Sequence, residues 1–347
     1  MTVAPTPDAR GIDFEPARLD AYLRALYGGT GPLDVQRTEG GMSNPTYFLR
    51  RGDWQAVLRK QPAQVLVPSA HAIDREFRVL RALHGSAVPV PEPLHYCKDT
   101  NVLGTPFYLM ERLTGRVFQD YAMHGPTAEE RGALFDAMAA TMADLHRLDP
   151  AAMGLADYGR QGNFFARQMK RWSQLWQTYR RGDDDNPALD QLLVWLAGRV
   201  PDSEQQTLCH GDFRIGNLMF HETEPRVIGV LDWELSTLGH PLADVAFNCQ
   251  AWHMAPDENG GMLGLPLPDL GIPSEADYLK HYYRLAGSNE HLTTFHQAFA
   301  MFRAAVGSAG VAVRGEAGNA FLPDASHVGR KLSLAYAARG LQFIGGR

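Results

Sequence analysis

The stretch that decides the fold runs from Thr207 to Ala246 and reads TLCHGDFRIGNLMFHETEPRVIGVLDWELSTLGHPLADVA. Asp212 follows a short apolar run, Asn217 lies five residues later, and Asp232 ends the next apolar run. A segment with turn chemistry separates the two runs, which predicts a hairpin. In that geometry the three side chains can converge. Two carboxylates and a carboxamide suit a hard cation such as Mg²⁺, which prefers oxygen ligands.

Length and composition limit the classes of protein to consider. A chain of 347 residues is long for one core and comfortable for two lobes. The net charge of -6 gives no reason to expect a nucleic-acid or membrane partner, and no apolar run approaches the ~20 residues that span a bilayer. Three cysteines without a CxxC pair favour reduced thiols over a disulfide framework or a zinc site. Residues 1–12 lack a signal-peptide pattern, so we expect a short disordered lead and a cytoplasmic protein.

The order of elements predicts an α+β fold with two lobes. Residues 1–110 are rich in strand signals and contain one main helix, whose apolar positions include Ile73 and Leu80. Residues 111–118 are expected to form a hinge, and residues 119–347 a larger, mostly helical lobe. These features predict a small antiparallel sheet lobe, a helical lobe and a cleft between them.

Phosphoryl transfer is the chemistry that such a cleft and such residues favour. It requires a cation on the phosphates, a positive side chain and a carboxylate that receives the proton of the acceptor. Asp212 can be that carboxylate, while Asn217 and Asp232 can hold Mg²⁺. The positive side chain is Arg59 or Lys60, because alternation along a strand directs only one of them towards the cleft.

Two further features of the first lobe fit this interpretation. Glu76 on the main helix can fix the strand cation through an ion pair. A glycine-containing loop between two strands allows main-chain N–H groups to approach phosphate oxygens. The loop residues are Gly40, Gly41, Ser43 and Asn44.

The motif HGDxxxxN at His210–Asn217, followed by Leu231–Glu234 and Gly239–Asp244, resembles the aminoglycoside phosphotransferase and choline kinase superfamily. More narrowly, Gly40–Tyr47 and Val57–Arg59 look like the branch that is fused to acyl-CoA dehydrogenases. The resemblance extends over most of the chain. It implies a bilobal protein-kinase-like fold that uses ATP and Mg²⁺, with a nucleotide-binding first lobe and no dehydrogenase module within these residues.

The resemblance also implies roles for individual residues. Asp212 would be the catalytic base, Asn217 and Asp232 the Mg²⁺ ligands, and Glu76 the partner of the strand cation. Glu111 lies where the hinge would contact adenine, through its backbone. The glycine loop lacks the GxGxxG pattern, and Ser43 and Asn44 are expected to substitute for it.

Residues around the motif are given supporting roles. His210 is expected to support the loop through hydrogen bonds, and Asp244 to hold the loop from a helix. Trp233 and Glu234 could face the acceptor. The acceptor pocket is expected to lie among the C-terminal helices and the segment 256–273, which we interpret as a flexible lid.

These features predict an ATP- and Mg²⁺-dependent phosphotransferase. It would act on a hydroxyl of a small molecule, with a hydroxy-acyl-CoA or a related metabolite as the suggested acceptor. The alternative is a catalytically silent, nucleotide-binding regulatory protein of the same fold. The intact set of Asp212, Asn217 and Asp232 argues against that alternative, because a silent protein has no physical need of all three.

Overall fold

The computed structural model describes residues 11–38, 44–62, 72–182, 185–317 and 324–345. The chain forms two compact units, of which the first comprises Met1–Thr114 with Ile228–Glu234 and the second Gly115–Val227 with Leu235–Arg347. The boundary after Thr114 falls inside the segment 111–118. The segment Ile228–Glu234 was expected in the helical lobe 119–347, but it belongs to the first unit. Its Val230 N–H donates to the carbonyl of Pro89 at 2.8 Å, so it adds to the first unit.

The first unit is built on a five-stranded antiparallel sheet with the order β1-β2-β3-β5-β4. This confirms the predicted small antiparallel sheet. The strands are β1 (Asp34–Arg37), β2 (Thr46–Arg51), β3 (Trp54–Lys60), β4 (Pro93–Cys97) and β5 (Phe107–Met110). The helices are α1 (Pro16–Tyr27), α2 (Ile73–Leu83) and the short α3 (Thr100–Leu103).

One face of this sheet packs on the apolar side of α1. Alternation along β2 directs Tyr47 and Leu49 into this core, where Leu19 and Leu23 of the helix meet them. Ile12 is also buried in the core, so the expected disordered lead of residues 1–12 does not extend to this residue. The first ten residues of that lead lie outside the described part of the chain.

The second unit is mainly helical. Its helices are α4 (Ala128–Arg147), α5 (Phe164–Tyr179), α6 (Pro187–Ala197), α7 (Pro241–Cys249), α8 (Glu275–Ala286), α9 (Thr294–Glu316) and α10 (Ala325–Ile344). Short strands complete it: β6 (Thr207–Cys209), β7 (Leu218–Phe220) and β9 (Thr237–Gly239). All but the first residue of β8 (Val227–Val230) belong to the segment Ile228–Glu234 of the first unit. β6 pairs with β9 in antiparallel fashion. This content confirms the predicted helical lobe.

Helix α5 supplies part of the core of the second unit. Phe165, Met169 and Trp176 recur at helical spacing and are all buried against α6, α9 and α10. The Trp176 indole N–H donates to Asp190 at 2.8 Å, which satisfies its one polar group. The aromatic stripe is therefore core packing.

The segment 256–273 is attached to its surroundings by main-chain hydrogen bonds. Met262 N–H donates to Ala251 at 2.7 Å and Leu263 N–H donates to Met254 at 2.8 Å. The Met262 side chain is buried. Within the described residues, no helix has the length and apolar character that crossing a bilayer requires.

Candidate active site

The loop after β6 carries the predicted catalytic aspartate. The main-chain N–H groups of His210 and Gly211 donate to the two oxygens of the Asp244 carboxylate, at 2.6 and 2.9 Å. His210 Nδ1 accepts the N–H of Asp212 at 3.1 Å. Both expected supporting roles are thereby confirmed: His210 holds the loop by hydrogen bonds, and Asp244 anchors it from the first turn of α7.

Gly211 is required at the centre of this loop. Its φ is +83°, a region that side-chain-bearing residues rarely adopt. A Cβ at this position would also lie 2.4 Å from the carbonyl oxygen of Leu235. Steric constraints therefore require a glycine between His210 and Asp212. The backbone conformation of this glycine sets the direction of the chain at Asp212.

Asp212 and Asn217 are joined by two hydrogen bonds. The Asn217 Nδ2 donates to the main-chain oxygen and to Oδ2 of Asp212, each at 2.8 Å. Asn217 ends a short 3-10 turn and is buried, while the Asp212 side chain is 24% exposed. Because the amide nitrogen is committed to Asp212, the carboxamide oxygen is the atom that Asn217 can offer to a cation.

A chain of buried polar groups continues behind Asp244. His146 of α4 lies 3.5 Å from the Asp244 carboxylate, and its Nδ1 shares a hydrogen bond of 2.7 Å with the hydroxyl of Tyr282. Burial opposes ionisation of Asp244, but the hydrogen bond and charge of His146 and the N–H of Gly211 outweigh it and lower its pKa. The anchor of the loop is therefore an ionised carboxylate. No sequence signal identified His146 or Tyr282 in advance.

Arg303 of α9 is a second support that the sequence did not reveal. Its Nη2 donates to the main-chain carbonyl of Gly211. The guanidinium lies over the rings of Phe247 and Trp172, at 5.0 and 5.7 Å from their centroids. Two helices thus hold the loop: Asp244 of α7 accepts its N–H groups, and Arg303 of α9 donates to its carbonyl.

The first unit contains a separate charged cluster around Arg59. The Arg59 Nε lies 2.8 Å from Glu76 Oε2, and its Nη2 donates to Asp232 Oδ1 at 2.6 Å. Glu76 also accepts the Tyr108 hydroxyl at 3.0 Å and the Asn44 amide at 2.6 Å. The ion pair that the sequence predicted between strand and helix is therefore present.

Burial and the neighbouring charges shift the pKa values of Arg59 and Glu76 in opposite directions. Burial opposes the charge of Arg59, but Glu76 and Asp232 outweigh it and raise the pKa of Arg59, so the guanidinium stays protonated. Burial raises the pKa of Glu76, and Arg59 opposes that shift. The pair is held in place by the two additional donors on the glutamate, which offset part of the cost of burying its charge.

Asp232 adopts an unusual backbone conformation. Its φ is +64°, in the left-handed region that costs free energy for residues other than glycine. Its side chain is 37% exposed. A carboxylate that is strained and yet accessible is typical of a functional position, and it lies where the sequence predicts a metal ligand.

The structure distinguishes between the two cations of β3. Lys60 faces the core side of the sheet, where its Nζ lies 2.8 Å from Asp13, and it is almost completely buried. Asp13 also accepts the Tyr47 hydroxyl at 2.7 Å. Arg59 faces the other side with Glu76. Of the two candidate cations on β3, Arg59 is therefore the one that lies on the same face as Glu76, as the predicted ion pair requires.

The face of the sheet that carries Arg59 has an apolar row beside it. In the strand register Phe48 pairs with Val57, and Val57 pairs with Met110. The Arg112 guanidinium lies 4.1 Å from the centre of the Phe48 ring. These last two residues border a hollow of about 340 Å³, which is otherwise lined by polar and charged side chains of β1, β2 and β3.

Of the other predicted site residues, three lie outside the described part of the chain, and two have hydrogen-bonding groups that are already engaged within the protein. Gly40, Gly41 and Ser43 lie outside the described residues. Asn44 is completely buried, and its amide donates to Glu76 and not to a phosphate site, because the side chain turns inward beside the helix. The N–H of Glu111 already donates to the carbonyl of Glu92 at 2.8 Å, so this backbone donor is not free for adenine.

The expectation for Trp233 is wrong. Its side chain is buried, and its indole N–H donates to Val230 at 2.9 Å, so Trp233 is a packing residue and does not face an acceptor. Glu234 has a carboxylate oxygen 3.6 Å from Arg59, which makes it part of the charged cluster of the first unit.

Two of the predicted metal ligands, one in each unit, offer oxygen atoms of the kind that Mg²⁺ prefers. Asp232 offers a partly exposed carboxylate, and Asn217 a carboxamide oxygen. The His146, Cys209 and Asp244 side chains also approach one another. However, burial raises the pKa of Cys209 well above its ordinary value, so the thiol is neutral, and Asp244 is engaged by two N–H groups. That trio is a structural cluster.

A comparison with known protein families assigns the chain to a family of phosphotransferases, which is the chemistry that the geometry of the Asp212 loop favours. The model of the phosphotransferase enzyme family, APH, matches residues 34–284. The chain belongs to this family. The match includes both the Arg59 cluster and the Asp212 loop.

Curated relatives of this family member are longer proteins. Acyl-CoA dehydrogenase family member 11 of Gallus gallus is 39% identical over 340 residues, which cover 95% of this chain but 43% of that protein. The chain spans less than half the length of the curated relatives that it matches. The predicted likeness to the branch fused to acyl-CoA dehydrogenases is thus confirmed.

Solved structures confirm the fold of this family member. A Ralstonia eutropha protein, provisionally assigned as an aminoglycoside phosphotransferase, is 39% identical with a TM-score of 0.82, covering 95% of this chain and 99% of that one. A thermostable mutant of aminoglycoside phosphotransferase APH(4)-Ia, in a ternary complex with ADP and hygromycin B, has a TM-score of 0.61 at 18% identity, over 93% of this chain and 98% of that one. The second likeness shows the fold alone.

Proposed function

We propose that the chain is an ATP- and Mg²⁺-dependent phosphotransferase that transfers the γ-phosphoryl group to a hydroxyl of a small molecule. A hydroxy-acyl-CoA or a related lipid-derived hydroxy acid is the acceptor class that we favour, because the curated relatives carry acyl-CoA dehydrogenase names. The observation that carries the proposal is the pair of hydrogen bonds from Asn217 to Asp212. It presents a carboxylate and an amide oxygen together on a loop fixed by Asp244.

Asp212 has the role of base in this proposal. Its carboxylate accepts the proton of the acceptor hydroxyl as the hydroxyl oxygen bonds to the γ-phosphorus. The bond between the γ-phosphorus and its bridging oxygen breaks, and ADP leaves with that electron pair. The Asn217 amide orients the Asp212 carboxylate, so that the oxygen which receives the proton has a defined position.

The nucleotide is assigned to the face of the first unit that carries Arg59. The row of Phe48, Val57 and Met110 can pack against a planar base. Arg59 supplies a permanent positive charge for phosphate oxygens. ADP is bound by the structural neighbour APH(4)-Ia, which supports a nucleotide for this chain.

We assign Mg²⁺ to Asn217 and Asp232. When bound, this ion would neutralise the negative charge that the phosphate groups share. The strained conformation of Asp232 supports its assignment as a ligand. Arg59 then has three carboxylates around it: Glu76 as a permanent partner, Glu234 at 3.6 Å, and Asp232 as one that a cation can draw away.

The test combines nucleotide binding with product formation. Titration calorimetry with ATP, with and without Mg²⁺, measures binding, and phosphorus NMR detects a phosphorylated product from a panel of hydroxylated acceptors. We expect Mg²⁺-dependent binding and at least one phosphate monoester. Binding without any product would favour the silent regulatory protein, and the absence of nucleotide binding would refute the proposal.

A further inference from the structure

Helix α7 holds the Asp212 loop through two side chains that lie one turn apart. Its Asp244 carboxylate accepts two main-chain N–H groups that precede Asp212. Four residues further along the helix, the Nδ2 of Asn248 donates to the main-chain carbonyl of Phe213 at 3.1 Å. Residues four apart lie on the same face of a helix, about 6 Å apart along its axis. One face of α7 therefore binds the loop on both sides of Asp212.

The two side chains offer the loop opposite hydrogen-bonding groups. The ionised Asp244 carboxylate can only accept and meets N–H groups, whereas the Asn248 amide nitrogen can only donate and meets a carbonyl. Their contacts enclose residues 210–213, and Asp212 lies inside this short range. A shift at either contact therefore displaces the Asp212 carboxylate.

Asn248 is completely buried, and its surroundings do not favour a polar side chain. Its Nδ2 also lies 3.5 Å from the hydroxyl of Tyr121 and 3.6 Å from the sulfur of Met138, both longer contacts than the bond to Phe213. Its Oδ1 is buried and has no hydrogen-bond partner among the described residues. A buried oxygen without a donor costs free energy, so an asparagine here does not maximise stability. Its amide donor therefore calls for a functional explanation.

The hydroxyl of Tyr121 supports the next part of the loop. It accepts the N–H of Ile215 at 3.4 Å. Burial raises the pKa of Tyr121, so the hydroxyl stays neutral and can act in this way at any ordinary pH. Ile215 begins the 3-10 turn that ends at Asn217. Buried groups of the second unit therefore bind the chain at two points between Asp212 and Asn217.

We propose that Asn248 is a positioning residue of the phosphotransferase, which fixes the chain after Asp212 as Asp244 fixes the chain before it. The inference rests on the proposed function and adds a residue that acts through the loop and does not touch substrate. Without the Asn248 amide, the carbonyl of Phe213 loses this donor and the loop gains freedom on one side of Asp212. Misplacement of a catalytic group by about 1 Å can lower a rate about 100-fold, so kcat is the quantity that Asn248 controls.

The experiment compares Asn248→Leu with Asn186→Leu, the same change at another buried asparagine of the second unit. Leucine has the branched shape of asparagine without its polar atoms. Asn186 caps α6, where its Oδ1 accepts the N–H of Leu189 at 3.3 Å, so its role is structural.

Three measurements separate a positioning role from a structural one. ADP release from Mg-ATP, with 3-hydroxybutyryl-coenzyme A and with water as acceptors, gives kcat and the KM for Mg-ATP. Thermal unfolding gives stability. Hydrogen–deuterium exchange read by mass spectrometry reports the opening of residues 213–217 without any need for activity.

We expect Asn248→Leu to lower kcat about 10- to 100-fold and to change the KM for Mg-ATP less than about threefold. Exchange of residues 213–217 should become roughly tenfold faster, the effect of about one lost hydrogen bond. The unfolding midpoint should stay within about 2 °C, because removal of the unpaired oxygen offsets that loss. Asn186→Leu should show the opposite pattern, with a midpoint about 2–4 °C lower and wild-type kcat and loop exchange.

Different failures have different meanings. If Asn248→Leu keeps the wild-type kcat or the wild-type exchange of residues 213–217, or loses kcat only in proportion to its unfolded fraction, the positioning role is wrong while the phosphotransferase function still stands. If the wild type neither binds Mg-ATP nor releases ADP, the proposed function fails, and the positioning role fails with it. Should Asn248→Leu not fold, Asn248→Ala removes the amide without adding volume, and the same criteria for kcat and loop exchange apply to it.

Discussion

Asn217 donates its amide to both the main-chain oxygen and the carboxylate of Asp212, each at 2.8 Å. The two bonds link residues that are five positions apart. They engage Oδ2 of the Asp212 carboxylate, and neither bond involves the other carboxylate oxygen, Oδ1. A carboxylate held in this way is oriented before any substrate arrives, and such preorganisation is the main means by which proteins accelerate phosphoryl transfer.

The first prediction concerns Asp212→Asn. We expect kcat for transfer to fall about 100- to 10,000-fold, the usual contribution of a general base, because the amide cannot accept the hydroxyl proton. Nucleotide affinity by calorimetry should change little. Asp202→Asn, at an exposed residue of the second unit outside the segment 256–273, is the control and should keep full activity. Undiminished transfer by Asp212→Asn would contradict the role of base.

The second prediction separates the two cations of β3. Arg59→Met should weaken Mg-ATP binding about 10- to 100-fold, because charge-assisted hydrogen bonds to phosphate are lost. Lys60→Met should keep the wild-type affinity for Mg-ATP and lower the free energy of unfolding by about 3 kcal/mol, since it leaves the largely buried Asp13 carboxylate without its cation. Arg59→Met should lower the free energy of unfolding as well, because it leaves the buried Glu76 carboxylate without its cation, so nucleotide affinity is the measurement that separates the two variants. Calorimetry and urea unfolding measure the two effects. Equal loss of nucleotide affinity in both variants would argue against the assignment of Arg59.

The third prediction concerns the Asp244 anchor. Asp244→Asn replaces one carboxylate oxygen with an N–H₂ group that cannot accept the N–H of the loop. We expect a loss of about 1–3 kcal/mol in the free energy of unfolding and a fall in kcat without a comparable change in KM.

The pH dependence of the Asp244 variant provides a second readout. Since the folded state lowers the pKa of Asp244 below 3.8, its contribution to stability is complete above that pH and disappears as the pH falls through the folded value. Stability below pH 4 should therefore decline less steeply in Asp244→Asn than in the wild type. Parallel acid-unfolding curves would contradict the assignment of Asp244 as an ionised anchor.

The fourth prediction uses two glycines that differ in their surroundings. Gly211→Ala should abolish transfer and lower the free energy of unfolding by several kcal/mol, because φ is +83° and the new Cβ would meet the Leu235 carbonyl. Gly307→Ala, inside α9 with open space around the Cβ, should stabilise the protein by about 0.5–1 kcal/mol. Urea unfolding and a transfer assay measure both. A Gly211→Ala variant with wild-type kinetics would show that the loop tolerates another path.

The fifth prediction concerns His296 at the start of α9. Burial lowers its pKa to about 4, and the nearby His240 adds to the shift. Its neutral Nδ1 accepts the Thr293 N–H at 3.1 Å in a capping box. Because the folded pKa lies below the unfolded value of 6.5, the stabilisation is complete above pH 6.5 and decreases as the pH falls towards 4, by about 3 kcal/mol at most.

His296→Gln tests this linkage, since glutamine preserves the capping box without titrating. Its free energy of unfolding should vary less between pH 7 and pH 4 than that of the wild type. Thermal unfolding in a series of buffers measures the slopes. Identical slopes would show that His296 does not account for the acid sensitivity in this range.

The sequence by itself determined the type of fold and the chemistry of the loop. Hydrophobic spacing identified the sheet and most helices, because alternation and the helical period are local properties of the chain. The short spacing of Asp212 and Asn217 indicated their pairing for the same reason. Asp244 was recognised as a support because it begins a helix a short distance further along the chain.

The tertiary structure decided which side chains meet across long distances in the sequence. Lys60 pairs with Asp13 and Arg59 with Glu76, although both cations are neighbours on one strand. Asn44 turned inward, and Trp233 became buried, because packing outweighed the roles that their positions indicated.

The support from α9 also depends on tertiary structure alone. Arg303 reaches Gly211 from 92 positions away. This contact has no local pattern in the sequence, because hydrogen-bond partners of buried groups are set by the packing of several elements and not by spacing along the chain.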